Sequence, residues 1–266
     1  MIRFYTLPPR SIEYPFLLVN IRNWKELRKR RFKHAILDSG VEIFKSNPNL
    51  KDYPKSVLWR YSQKAEIVSR LYPGKVWVTI PDYPDDLNPG QFGDNIEKTL
   101  RNIEEFISID GVEWLPVIQS RYLDIFSFYE SCQKLRDLIG DYPRIAIGTV
   151  CKTRKLSFIE KCCSIARKFF PNSWIHAFGL TLRALPKVKD YIDSFDSLVP
   201  GDCGGGRKIW WWKYGVIPYG YFDKINKQNR PYIKIKFFYS YLKRLTQIVE
   251  LEGFEETLLE VAPKNA

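Results

Sequence analysis

The most informative residue of this sequence is a carboxylate inside an apolar run. Asp196 lies within the segment from Phe195 to Val199. An unpaired charge in such surroundings costs free energy unless the group is partnered or used. Buried carboxylates that are retained for chemistry act as nucleophiles or as general acids and bases. We therefore expect Asp196 to be buried and to take part in a reaction.

Other polar residues follow apolar runs, at the points where strands are expected to end. They are carboxylates, an amide and glycines: Asp38, Asp82, Asp85, Asp86, Gln119, Gly148 and Gly179. Taken alone, these residues have explanations in local structure, which for Asp38 is the favoured one, because Asp and Gly favour turns and polar side chains cap helices. As a set, they predict a polar site where the ends of several strands meet.

Short apolar runs alternate with amphipathic segments along the chain. The runs are 16–19, 35–37, 76–80, 115–118, 145–147, 174–178 and 195–199, with a further candidate at 208–213, and the amphipathic segments are about 23–32, 54–72, 94–108, 121–139, 155–169 and 181–191. Runs of this kind are typical of parallel strands that are buried on both faces. Strand followed by helix, about eight times over, predicts an α/β fold of the (β/α)8 TIM-barrel type. A doubly wound sheet is the alternative, but no glycine fingerprint follows the first run.

Length and charge agree with one barrel that has a polyanionic partner. The chain has 266 residues, with 42 Lys and Arg against 30 Asp and Glu, which gives a formal net charge of +12. Such barrels run to about 250 residues as one unit, so we expect a single domain over 1–266, with closing basic helices at about 231–262. A hydrophobic content of 45% excludes a disordered chain. The positive charge favours nucleic acid as a partner.

Neither a membrane nor a metal is expected. No apolar run reaches the roughly 20 residues that cross a bilayer, and Met1 to Phe4 lack the layout of a signal peptide. We therefore expect a cytoplasmic protein. The five cysteines follow no disulfide or zinc spacing, so no metal and no cofactor are expected. The sequence leaves the oligomeric state open.

Several motifs resemble those of the guanine transglycosylases, TIM-barrel enzymes that exchange guanine in a polynucleotide for a 7-deazaguanine base. Leu37-Asp38-Ser39-Gly40 is similar to the family's Leu-Asp-Ser-Gly-Gly, and the segment 195–200 is similar to its Phe-Asp-x-Val-x-Pro. The segments 116–119, 145–148 and 176–179 fall where the family has Val-Gln-Gly, Leu-Ala-Val-Gly and Tyr-Leu-Met-Gly. The resemblance covers about residues 35–200, and the motifs occur in the family's order.

The resemblance implies a role for each residue of the set. Asp196 matches the nucleophile that attacks C1′ of the sugar, and Asp38 matches its proton-transfer partner. The residues that match the groups reading the purine edge are Asp82, Gln119 and Gly148. A carboxylate acceptor suits the guanine N1–H and N2 amino group, and an amide donor suits O6. Phe178 or Tyr83 is expected to stack on the base, and two displacements at C1′ imply retention of configuration.

The chain departs from the family at several points. The Cys/His zinc site of the tRNA-modifying members and the further C-terminal domains of the archaeal members do not follow the last motif. Pro200-Gly201-Asp202 stands where the family has Pro-Thr-Arg, and Val41 replaces the second glycine after Asp38. The chain is therefore similar to minimal, phage-type enzymes that act on DNA, and both DNA and tRNA stay open as the substrate.

Basic residues near the expected site predict contacts with nucleic acid. The candidates are Arg207, Lys208, Lys224, Lys227, Arg230, Lys234 and Lys236. The run from Lys25 to Lys33 is interpreted as a solvated outer face. Two other functions stay open: a catalytically silent barrel that binds nucleic acid, and an N-glycosidase that uses water instead of an incoming base.

Overall fold

The structure is a computed structural model that describes residues 1–197 and 230–253. Parallel strands alternate with helices, which confirms the predicted α/β fold. The strands are β1 Arg3–Tyr5, β2 Phe16–Asn20, β3 His34–Asp38, β4 Val76–Thr79, β5 Trp114–Leu115, β6 Val117–Ile118, β7 Arg144–Ile147, β8 Trp174–Ala177 and β9 Ser194–Asp196. The helices are a 3-10 segment Ile21–Lys29, α1 Glu42–Ser46, α2 Lys55–Leu71, α3 Asn95–Ile107, α4 Ile125–Ile139, α5 Leu156–Phe169, α6 Leu185–Val188 and α7 Arg230–Thr246.

The strands form two parallel sheets, in the orders β2-β3-β4-β5 and β1-β9-β8-β7-β6. Backbone hydrogen bonds continue between β1 and β2, where Thr6 N donates to Phe16 O at 3.2 Å and Leu18 N donates to Thr6 O at 3.1 Å. At the opposite edges, β5 and β6 are separated by Pro116 alone. Proline has no N–H to donate, yet its carbonyl accepts from Ala146 N of β7 at 2.8 Å.

Strand β1 is absent from the sequence prediction. Arg3–Tyr5 has three residues, which is too short for a recognisable apolar run. It lies beside β9 in parallel register, so that Tyr5 is paired with Asp196. The strand predicted at 208–213 lies outside the described residues.

The long helices occur where apolar periodicity predicted them. Helices α2, α3 and α5 agree with the predictions to within one residue at each end. Helix α4 begins later than expected, because the Asp124 side chain caps it by accepting from Phe126 N and Ser127 N. The segment predicted as a helix at 181–191 contains the short helix α6 alone. None of the described helices combines the length and apolar composition that a membrane crossing requires.

Helix α7 packs against the beginning of the chain. The ring of Tyr241 stacks on Phe4 at 5.8 Å between centroids, and the ring of Phe238 meets Tyr14 edge-on at 5.5 Å. The predicted closing segment at 231–262 is therefore helical as far as Thr246, and its residues 254–262 lie outside the described part of the chain.

Cations lie over aromatic rings at the amino ends of the strands. The guanidinium carbon of Arg3 is 4.4 Å from the centre of the Trp174 ring, and that of Arg144 is 5.5 Å from the centre of the Trp77 ring. Arg144 also forms an ion pair with Glu113. Cation–π contacts and ion pairs of this kind stabilise a fold. These contacts therefore stabilise the amino ends of the strands.

Candidate functional site

The residues singled out in the sequence lie at the carboxyl ends of parallel strands. They are Asp38 at the end of β3, Asp82 after β4, Gln119 after β6, Gly148 after β7, Phe178 after β8 and Asp196 at the end of β9. Parallel strands within a sheet place these ends on one edge, which is where α/β proteins carry their sites.

Asp82 is the centre of a hydrogen-bonded group. Its side chain is buried, with 6% exposure. The Ser39 hydroxyl donates to Asp82 Oδ1 at 3.1 Å, and Gln119 Nε2 donates to Asp82 Oδ2 at 2.5 Å. Ser39 and Asp82 follow strands of one sheet and Gln119 follows a strand of the other, so this group joins the two sheets at their carboxyl ends.

The pKa of the Asp82 carboxyl group is raised. Burial raises the pKa of Asp82 to about 6, and the nearby charge of Asp86 adds to this shift, whereas the hydrogen bonds from Gln119 and Ser39 oppose it. Burial likewise raises the pKa of Asp86 to about 6. Raised carboxylate pKa values in one neighbourhood are typical of functional sites.

Gly148 lets the Gln119 amide reach Asp82. A Cβ atom at Gly148 would lie 2.1 Å from Gln119 Nε2 and 2.8 Å from Val117 Cγ1. Both distances are shorter than any real contact, so a side chain at this position displaces the amide or its neighbour. The glycine is required here because another side chain lies directly against its backbone.

The orientation of Gln119 changes the role that the sequence suggested for it. We expected its amide to donate to O6 of a purine, but one N–H already binds Asp82. The Oε1 atom is buried and has no hydrogen-bond partner among the described residues. Buried polar atoms are normally partnered. The described residues therefore leave the Gln119 Oε1 acceptor unused, and this feature had no signal in the sequence.

Asp196 is buried as predicted, with 4% exposure. Its Oδ1 atom accepts a hydrogen bond from Gly179 N at 2.8 Å, and His176 Nε2 lies 3.4 Å from the same oxygen. The latter pair is close but does not form a hydrogen bond, and His176 Nε2 has no hydrogen-bond partner among the described residues. The backbone N–H of Gly179 therefore fixes the position of this carboxylate oxygen.

A chain of hydrogen bonds links Trp174, Ser194 and His176. Trp174 Nε1–H can only donate, and it lies 2.8 Å from Ser194 Oγ. His176 Nδ1 lies 2.9 Å from the same Ser194 oxygen, which can donate to it or accept from it. These two contacts hold the imidazole ring beside Asp196.

The thiol of Cys151 shows that the carboxylates gather at one place. A Cβ atom on Gly179 would lie 2.5 Å from Cys151 Sγ. Burial raises the pKa of the Cys151 thiol to about 12, and the charges of Asp196, Asp86 and Asp38 add to this shift while Lys152 opposes it. Asp38 belongs to one sheet and Asp196 to the other, so acids from both sheets act on the same thiol.

Asp38 is half-buried and accepts a hydrogen bond from Asn20 Nδ2 at 3.4 Å. Asn20 and Asp38 are partners in the register of β2 and β3. The amide thus holds the carboxylate at the end of its strand.

The two aromatic candidates differ in position. Phe178 is half-buried and its ring meets His176 edge-on at 4.7 Å between centroids. Its stacking on a base stays a prediction. Tyr83 is 1% exposed and belongs instead to a buried aromatic cluster with Phe44, Tyr53 and Phe92.

The predicted nucleic-acid contacts fall at the margin of the described chain. Outside it lie Arg207, Lys208, Lys224 and Lys227. Three more are placed by their backbone alone, in α7: Arg230, Lys234 and Lys236. Within 1–197 and 230–253, no group of three or more His, Cys, Asp or Glu side chains is arranged to hold a metal ion.

No protein-family model matches this chain. No curated protein is significantly similar to it either. Among solved structures, it is similar to the carboxyl transferase domain of pyruvate carboxylase from Rhizobium etli, with 12% identity, a TM-score of 0.46 and coverage of 98% of this chain and 51% of that one. It is also similar to 2,3-dimethylmalate lyase, a member of the PEP mutase/isocitrate lyase superfamily, with 10% identity, a TM-score of 0.38 and coverage of 90% and 94%.

The chain spans about half the length of the carboxyl transferase domain and 30% of the complete multifunctional pyruvate carboxylase. Identities near 10% and TM-scores below 0.5 say nothing about the chemistry of the site. Evidence for function therefore comes from the side chains of the site itself.

Sequence reasoning missed His176 and Ser194. A single histidine in an apolar strand has no spacing that marks it, and most such residues belong to the core. The register places Ser194 beside His176 on the neighbouring strand. That pairing gives the histidine its orientation, and it becomes visible once β8 and β9 lie side by side.

Proposed function

We propose that this protein is a guanine transglycosylase that exchanges guanine in DNA or tRNA for a 7-deazaguanine base. The observation that carries the proposal is the group formed by Asp82 and Gln119 over Gly148, at the same strand ends as the buried Asp196. A hydrogen-bonding group for a purine edge beside a buried carboxylate nucleophile is what this reaction requires. The motif resemblance points to the same residues.

The proposal includes the closure of the two sheets into one TIM barrel, with β5 and β6 acting as a single strand. The hydrogen bonds of Thr6 between β1 and β2 support closure on one side. The short break at Pro116 supports it on the other. A closed barrel brings all carboxyl ends around one mouth, where acids from both sheets meet. We propose a single domain on the same grounds.

The base-reading group suits guanine. An ionised Asp82 accepts hydrogen bonds, and guanine presents adjacent donors at N1 and at its N2 amino group. The remaining N–H of Gln119 suits O6, and its unpartnered Oε1 suits a further donor on the base. Adenine carries no donor at N1, so the same carboxylate discriminates against it.

The exchange proceeds by two displacements at C1′. Asp196 attacks C1′ as the bond from C1′ to guanine N9 breaks, and the departing guanine takes up a proton that Asp38 supplies or relays. The incoming 7-deazaguanine then gives its N9 proton to Asp38, directly or by relay, attacks C1′ and releases the Asp196 carboxylate. Two inversions give retention of configuration. The backbone N–H of Gly179 donates to Asp196 Oδ1 and holds the nucleophile in place.

The polynucleotide is held through its phosphates. With a net charge of +12, the protein attracts a polyanion before any specific contact forms. We propose that Arg207 and Lys208, with the cluster from Lys224 to Lys236, contribute to this attraction. Each phosphate contact adds about 0.9 to the slope of log affinity against log salt for duplex DNA, and about 0.7 for single strands.

The test is incubation with radiolabelled guanine and either DNA or tRNA, with the Asp196→Asn variant as the control. Incorporation of label by the wild type and not by the variant supports the proposal. Release of free base without incorporation indicates an N-glycosidase, and binding without either reaction indicates a silent module. Either of these last two outcomes overturns the transglycosylase assignment.

A further inference from the structure

A small pocket lies directly beside the proposed base-binding group. It has a volume of about 200 Å³ and lies between the 3-10 segment, the end of β3 and helix α2. Three cations line it: Arg22, Arg60 and Lys64. We call this set the basic pocket. Ligand sites for whole small molecules usually measure about 300–1,000 Å³, so the basic pocket suits a single chemical group.

The cations of the basic pocket have no acidic partners among the described residues. Arg60 donates to the Ser56 carbonyl at 3.1 Å, but no carboxylate lies within ion-pair distance of any of the three. Other cations nearby are paired, such as Arg70 with Glu66 at 3.2 Å. Arg60 and Lys64 are also four residues apart on one helix face, where like charges repel. An anion between them removes that repulsion.

Two residues connect the basic pocket to the base-reading carboxylate. Ser39 lines the pocket and donates to Asp82 Oδ1 at 3.1 Å. Tyr53 also lines it, and its hydroxyl donates to the Asp82 backbone carbonyl at 3.1 Å. Ser39 and Tyr53 therefore belong both to the wall of the basic pocket and to the surroundings of Asp82.

We infer that the basic pocket binds one backbone phosphate next to the target guanosine. The inference rests on the proposed function for its choice of nucleotide, and on the pocket itself for the anion. Phosphate is small, carries charge on several oxygens and pairs well with guanidinium and ammonium groups. This phosphate contact fixes the register of the strand, while Asp82 reads the base.

The first test measures the salt dependence of binding, with a fluorescent single-stranded oligonucleotide containing one guanine. The Asp196→Asn background prevents turnover. Arg60→Gln with Lys64→Gln is compared with a control of equal charge change on the same helix and its following turn, Arg70→Gln with Lys75→Gln. We expect the pocket variant to bind about tenfold more weakly and to lose about 0.7 of the salt slope, and the control to change little.

The second test assigns the phosphate. Each linkage of the oligonucleotide is replaced in turn by an uncharged methylphosphonate. For the parent protein we expect one replacement beside the guanine to weaken binding about tenfold. In the variant carrying Arg60→Gln and Lys64→Gln, the same replacement is expected to cost nothing more, because the two changes remove the same contact. Arg22→Gln, on the opposite wall, is expected to repeat this pattern.

The outcomes separate the pocket from the reaction. Equal losses from the pocket variant and its control, or methylphosphonate effects that add to those of the variant, overturn the inference even if exchange occurs. A reduced salt slope confined to the pocket variants upholds the anion site even if no exchange is found, in which case the transglycosylase assignment falls. Circular dichroism of each variant excludes unfolding as the cause of any loss.

Discussion

At the amino ends of the strands, cations lie over aromatic rings and beside acids of opposite charge, whereas at the carboxyl ends carboxylates lie beside one another. Arg144 has both Trp77 and Glu113 as partners. At the other end, burial raises the pKa of Asp82 and the charge of Asp86 adds to the shift, while burial and the charge of Asp85 raise the pKa of Asp86. Arg144 is thus paired with an opposite charge at the amino ends, whereas acids lie near acids at the carboxyl ends.

Buried polar atoms without hydrogen-bond partners occur at both ends. Among the described residues they include Gln119 Oε1 and Asp86 Oδ1 at the carboxyl ends and His34 Nε2 at the amino end of β3. Each such atom costs about 1–3 kcal/mol of desolvation. At the carboxyl ends this cost is combined with acids that lie near one another, so a bound ligand that supplies hydrogen-bond donors recovers free energy there.

The largest expected effect comes from Asp196→Asn. It removes the nucleophile but keeps an acceptor for Gly179 N, so we expect exchange to fall about a thousandfold or more and the melting temperature to stay nearly constant. The label-incorporation rate and a thermal melt measure the two. Asp193→Asn is the control, because Asp193 binds Arg167 and Ile175 N and is expected to affect stability alone. Retention of more than about a tenth of the rate contradicts the role of Asp196.

Gly148→Ala is expected to weaken guanine binding by roughly ten- to a hundredfold, as measured by calorimetry, because its Cβ displaces Gln119 from Asp82. The matched control is the same change in a Gln119→Ala background, where the main clash is gone. There the alanine at 148 is expected to cost little more than Gln119→Ala does alone. Additive losses in the double variant would separate Gly148 from the Asp82 group.

Guanine affinity is expected to depend on pH through Asp82. The pKa of Asp82 is raised to about 6, so below this pH the carboxyl gains a proton and loses its capacity to accept from N1–H. Affinity should then fall about tenfold for each pH unit below about 6. Calorimetric titrations between pH 5 and 8 measure this. Asp82→Asn should abolish the dependence and Asp86→Asn should preserve it; the reverse result would assign the recognition to Asp86.

The smallest effect on the site is expected from Arg144→Ala, at the amino ends. It removes a cation–π contact and an ion pair, so we expect a loss of about 1–3 kcal/mol in the free energy of unfolding with unchanged guanine affinity. Urea unfolding and calorimetry measure the two quantities. A loss of affinity comparable to that of Gly148→Ala would show that the two ends are not independent, and the comparison would fail.

Much of the fold follows from local sequence pattern. Runs of β-branched residues locate β2 to β9, because a buried parallel strand needs apolar side chains on both faces. This pattern does not predict strand β1, because two of its three residues, Arg3 and Tyr5, are polar or amphipathic. Their surroundings come from β9 and β8, which are far away in the sequence.

The sequence predicts which residues belong to the site, but it does not predict which of them form hydrogen bonds with one another. The burial of Asp196 follows from its apolar neighbours, and Asp82 and Gln119 follow from their places after strands. The bond between Asp82 and Gln119 depends on how two sheets meet, and no local pattern encodes it. Local sequence pattern does not predict the basic pocket either, because its cations come from two separate helical segments.

The pairing of β1 with late segments has a consequence during synthesis. Arg3 pairs with Ser194, and Ile2 N donates to the Glu250 carbonyl at 2.8 Å. At about 5–20 residues per second, a ribosome takes roughly 10–40 s to add the intervening stretch up to Ser194, and longer to reach Glu250. During this interval the backbone groups of β1 that bind β9 have no hydrogen-bond partners. A chaperone that binds nascent chains is therefore expected to act on β1 at this stage. A message truncated before the codon of Ser194 yields a chain in which β1 lacks β9 as its neighbour in the sheet.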